Sequence, residues 1–73
     1  MDARETTRRV GTEVSKAIAE AGFTPEVVAE AIGLDQSEME AHLAGAAEFS
    51  VSQLIEVGGL LRRPAGSFLA GAA

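Results

Sequence analysis

Glu38 and His42 stand four residues apart, the spacing that brings two side chains to one face of a helix, and a carboxylate beside an imidazole can form one edge of a metal site. His42 is the single histidine, the chain has no cysteine, and no third ligand falls at a matching spacing, so no metal site is expected. The same shortage argues against catalysis. Without a cysteine, a tyrosine, a second histidine or a glycine-rich phosphate loop, nothing can assemble a nucleophile, a base and oxyanion donors, and neither an enzyme nor a cofactor is expected. What remains is recognition by charge and hydrogen bonding. Arg4 and Arg8 share one helical face with Arg9 beside it, a group suited to phosphate, while Glu5 and Glu13 lie four residues either side of Arg9 as surface-pair partners. Residues 1 to 22 balance four acids with four bases, but residues 23 to 61 hold seven acids and no lysine or arginine. The net charge of −5 is therefore concentrated in the middle of the chain, which repels phosphate.

These groups must be carried by a small scaffold. At 73 residues, 47% of them apolar, the chain is long enough for one hydrophobic core and too short for two, so residues 1–73 read as a single domain. Apolar Val10, Val14, Ala17, Ile18 and Ala21 recur at helical spacing between an Asp2/Glu5 capping box and Gly22. Phe23-Thr24-Pro25-Glu26 reads as a helix start, with Thr24 as N-cap and Pro25 in the first turn, and Gly33 ends that helix. Asp35 caps a third helix with Glu38 as its reciprocal partner. Ser50 caps a fourth with Gln53, and Phe49 is placed against Leu54. Gly58 and Gly59 inside the fourth helix predict a close helix crossing, and Pro64 precedes a short fifth helix carrying Phe68 and Leu69. No segment alternates with period two. The prediction is all-α, a bundle of about five helices over roughly 3–21, 25–32, 36–44, 51–61 and 65–71.

The second helix, the short turn at Gly33 and the third helix have helix-turn-helix spacing, in which the third helix enters a DNA major groove. The run Gly22-Phe23-Thr24-Pro25-Glu26-Val27-Val28-Ala29-Glu30-Ala31-Ile32-Gly33-Leu34 resembles the Gly-Leu-Ser-Gln, Leu-Ala-Glu, Leu-Gly-Val pattern of Cro/C1-type (lambda-repressor-like) regulators. Its continuation through Leu43-Ala44-Gly45 and Glu48 to Leu54 is similar to the short phage-type repressors of actinobacteria, and the resemblance spans residues 10–69. It implies a five-helix DNA-binding domain that reads bases with Gln36, Ser37, Glu40 and Ala41 and holds phosphates with Arg4, Arg8, Arg9 and Thr24. Two features depart from the family pattern. Glu40-Ala41-His42 stands where Ser-Arg-Arg is common, and Pro25 replaces a glutamine that often touches the DNA backbone. A glutamate on the reading face can still accept a hydrogen bond from cytosine N4.

The resulting expectation is a small repressor-like regulator of double-stranded DNA, dimeric through the fifth helix with Phe68 and Leu69. The acidic stretch supports an alternative: a helix-turn-helix domain that has lost DNA binding and uses its acidic face to bind a protein or antagonise another regulator. No apolar run approaches the roughly 20 residues of a membrane span, and the N-terminus lacks the apolar stretch of a signal peptide, so a cytoplasmic protein without membrane contact is expected.

Overall fold

Three of the helices begin where a side chain satisfies amide groups that the first turn leaves without partners. In the computed structural model, which describes residues 3–69, α1 runs Ala3–Glu20, α2 Pro25–Ile32, α3 Gln36–Leu43, α4 Val51–Leu61 and α5 Gly66–Leu69. No strand occurs among the described residues. Thr24 Oγ1 accepts from the Val27 amide at 3.3 Å, and Asp35 Oδ1 accepts from the Glu38 amide at 3.2 Å. At Ser50 the capping box closes in both directions: the Gln53 amide donates to Ser50 Oγ at 3.0 Å and the Ser50 amide to Gln53 Oε1 at 2.8 Å. At Asp35 it does not close. The reciprocal bond expected from the Asp35 amide to the Glu38 side chain is not made, and the Asp35 carboxylate takes a second donor, the Ser37 hydroxyl, at 2.8 Å. Gly33 ends α2 in the left-handed conformation, φ 74°, which a residue without Cβ adopts at little cost.

The core lies between the inward stripe of α1, namely Val10, Val14, Ala17 and Ile18, and apolar residues from every other helix. Val28 and Ala29 come from α2, Met39 from α3, Leu54, Val57 and Leu61 from α4, and Phe68 from α5, with Phe49 closing one end. A radius of gyration of 10.9 Å matches the roughly 11 Å expected of a folded chain of this length, so the bundle is compact.

Three local expectations need correction. The fifth helix starts at Gly66, one residue later than expected, and before it the Pro64 carbonyl accepts from both the Ser67 amide (2.9 Å) and the Ser67 hydroxyl (2.7 Å). Residues 70 and 71, like Asp2 in the expected first capping box, lie outside the described residues. The fourth helix makes no crossing at its glycines. A side chain on Gly58 would strike the Arg63 carbonyl in the chain's own exit turn, while Gly59 faces open space. Phe68 does not offer a dimer surface, because it is 0% exposed and fills the core between α1 and α4; Leu69 alone remains outside.

Candidate nucleic-acid interface

Whether α3 can present a face to a ligand depends on what fixes its other side. Met39 and His42, three residues apart and hence on one face, are buried at 1% and 8% exposure. His42 stacks on Phe49 with ring centroids 4.6 Å apart, and its Nδ1 donates to the Ala47 carbonyl oxygen at 3.2 Å, since a carbonyl can only accept. The sequence comparison set His42 beside Glu40 and Ala41 on the reading face. The fold turns it inward, where it ties α3 to the loop that follows. Glu38 stays exposed, so the Glu38/His42 spacing brings no two ligands together, and no cluster of three metal-binding side chains occurs among the described residues.

Two glycines set the height of α3 against α1. A Cβ on Gly11 would stand 2.7 Å from the His42 carbonyl oxygen and 2.8 Å from that of Leu43, so α1 lies directly on the C-terminal turn of α3. A Cβ on Gly45 would stand 2.7 Å from Arg8 Cα, and Gly45 also has φ 79°, so both space and backbone conformation require glycine there. Sequence reasoning passed over both contacts. Gly11 was detectable as a glycine inside an otherwise regular helix, one position from core residue Val10.

With that side anchored, Gln36, Ser37 and Glu40 lie within one outward arc of α3 and are all exposed, and Ala41 is half-buried at its edge. Their hydrogen-bonding capacities are unequal. Ser37 has given its proton to Asp35 and offers only an acceptor, Glu40 is an acceptor, and Gln36 offers both a donor pair and an acceptor. Asp35 keeps its carboxyl below the ordinary aspartate range, chiefly through the Ser37 hydroxyl and then the Glu38 amide.

The expected phosphate ligands are spread more widely. Arg8 is exposed with its backbone against Gly45, which puts it at the C-terminal end of α3, opposite Gln36 and Ser37. Eight helical residues span about 12 Å, close to the width of a DNA major groove. Arg4 is exposed one turn before Arg8. Arg9 is drawn to Glu5 at 2.9 Å. Thr24 is exposed at the start of α2, and its cap uses only an acceptor lone pair, so its hydroxyl proton remains to donate outward. Every acid between residues 23 and 61, from Glu26 to Glu56, is exposed. None of the seven forms an ion pair among the described residues.

Set against protein-family models the chain matches none, and it matches none of the curated proteins. No helix among the described residues is long and apolar enough to cross a membrane.

Proposed function

We propose that the chain is a small, repressor-like transcriptional regulator of the Cro/C1 type, acting on cytoplasmic or phage DNA with α2, the Gly33 turn and α3 as its helix-turn-helix. The observation that carries this reading is the division of α3 into two faces: Met39 and His42 fix one side in the core, and Gln36, Ser37 and Glu40 stand together on the other. On this reading α3 lies in the major groove, while Arg8 and Arg4 reach phosphates beyond its far end and Thr24 donates to a phosphate beside α2. Three of the groups offered to base edges accept hydrogen bonds, which favours the amino groups of cytosine and adenine over the carbonyls of guanine and thymine. Gln36 pairs with adenine using both ends of its amide. The resemblance over residues 10–69 supports the same assignment.

The test is fluorescence anisotropy with mixed DNA duplexes across a salt series. Binding should be weak and lose affinity with salt as for two to four phosphate contacts, about one fewer in Arg8→Ala. Selection from a random duplex pool should then enrich adenine or cytosine at the positions that Gln36→Ala and Glu40→Ala relax. Absence of binding at low salt would refute the proposal.

The seven exposed acids, without an ion pair among the described residues, favour a second reading, in which the acidic face binds a basic protein surface. Charge reversal separates the two. Glu40→Arg with Ala41→Arg raises nonspecific DNA affinity in either case, but abolishes binding only to a protein that needs the acidic face.

A further inference from the structure

Where α1 meets the loop after α3 and the last two helices, the surface holds a pocket of about 60 Å³. Its apolar floor is Val10, Phe49, Leu54 and Leu69, of which only Leu69 is exposed. The floor is fixed before anything enters. Phe49 stacks on His42 at 4.6 Å, and the next residue, Ser50, is tied by the reciprocal cap with Gln53. A pocket already shaped in this way loses little freedom when it is filled. At about 10–15 Å³ for each water-sized atom it has room for roughly four to six non-hydrogen atoms, the size of one side chain.

The polar part of the lining decides which side chain. It consists of Thr6, Thr7 and Glu48, with no lysine or arginine. The Thr7 hydroxyl donates to the Ala3 carbonyl at 2.9 Å, so towards a ligand its oxygen can only accept. Glu48 is exposed, its carboxylate also only accepts, and it forms no hydrogen bond or ion pair among the described residues. Acceptors above an apolar floor match a run of methylenes that ends in a compact cation with several donors. Lysine, with four methylenes and one ammonium nitrogen, fits the volume, whereas arginine with its forked head exceeds it. We propose that this pocket receives a lysine side chain of a partner protein, its methylenes on Val10, Phe49 and Leu54 and its ammonium at Glu48 and Thr7. None of the lining residues belongs to α3, so the site goes beyond the DNA-binding reading. It gives the acidic-face reading one specific contact without resting on it: Glu40→Arg with Ala41→Arg should leave the site unchanged.

Titration of the full chain with n-butylammonium, the lysine side chain as a free ion, followed by amide NMR shifts, tests the proposal. The shifts should saturate, with an affinity on the order of millimolar for a ligand of this size, and centre on Thr6, Thr7, Glu48, Phe49 and Leu54. Ethylammonium should bind about tenfold more weakly, because each methylene laid on the floor is worth about threefold, and n-hexylammonium should gain nothing further. Glu48→Gln should weaken n-butylammonium about threefold, while Glu56→Gln, at an exposed acid outside the pocket, should not change it. A capped Ala-Lys-Ala peptide should bind at least as tightly as the free ion. n-Butanol binding as tightly as n-butylammonium would point to an uncharged occupant and overturn the proposal. A peptide that binds more weakly than the free ion would make the pocket a small-molecule site and overturn it equally. So would shifts that do not saturate, or an effect of Glu56→Gln as large as that of Glu48→Gln.

Discussion

Replacing Gly11 and Gly59 by alanine, separately, makes the same chemical change in two helices and should give opposite results. Outside its contacts, each substitution favours the helix by about 1 kcal/mol. At Gly59 nothing lies within 4 Å of the new methyl group, so the whole gain should appear in the measured stability. At Gly11 the methyl would stand 2.7 and 2.8 Å from two backbone carbonyl oxygens of α3. Carbon-to-oxygen contacts normally settle near 3.3–3.6 Å, so α1 and α3 must separate by roughly half an ångström or more. Backbone cannot rotate aside as a side-chain tip can, and the gap propagates to the packing of Val10 and Val14 against Met39. Overpacking of this kind costs about 1–3 kcal/mol. Because the helix-propensity gain is common to both variants, their difference isolates the steric cost. At about 2 kcal/mol it corresponds to roughly 8–16 °C in Tm for a domain of this size. Thermal melts and urea titrations of both variants measure it directly. Equal Tm shifts in the two variants would refute the inferred contact between α1 and the end of α3.

Phe68→Ala empties a fully buried site and should cost about 3–5 kcal/mol, enough to leave a domain of this size largely unfolded in a urea titration. Ser50→Ala removes one half of the reciprocal cap and should cost about 1 kcal/mol, visible as a lower urea midpoint with unchanged slope. Asp35 titrates below its ordinary range in the folded chain, so its stabilising contribution is complete above the ordinary aspartate pKa. That contribution fades as pH falls through the folded value. Asp35→Asn should therefore show a shallower loss of stability than wild type between about pH 5 and pH 3, in melts recorded across that range.

Much of the fold was legible because its signals are local. Thr24, Asp35 and Ser50 begin their helices as their side-chain chemistry requires, and the spans 25–32 and 51–61 agree with the structure at both ends. The α1 stripe faces the core at Val10, Val14, Ala17 and Ile18, whereas Ala21 falls past the end of the helix and is exposed. What escaped depends on contacts between distant segments. His42 looks like a surface polar residue until Phe49 and the Ala47 carbonyl are folded against it, although its three-residue step from Met39 already put it on the buried face. Gly11 and Gly45 owe their identity to neighbours 31 or more positions away in the chain. Gly58 answers to a turn whose shape follows from Arg62 adopting a conformation that sequence rules reserve mainly for glycine. Of the candidate interface, the outward set on α3 was readable from helical spacing, whereas the loss of Ser37's donor to Asp35 required the geometry of the cap.

The attachment of α3 has a consequence for how such a domain can change over time. Everything that fixes the helix in place, Met39, His42 and the two glycine contacts at its C-terminal end, points inward or is made by backbone. Gln36 and Glu40 share none of those duties, so substitutions at these two positions leave the attachment intact. Ser37 is the exception, tied through Asp35 to the first turn. The scaffold thus separates what the surface contacts from what keeps the chain folded, and a lineage can exchange ligands at two positions without first acquiring stability elsewhere.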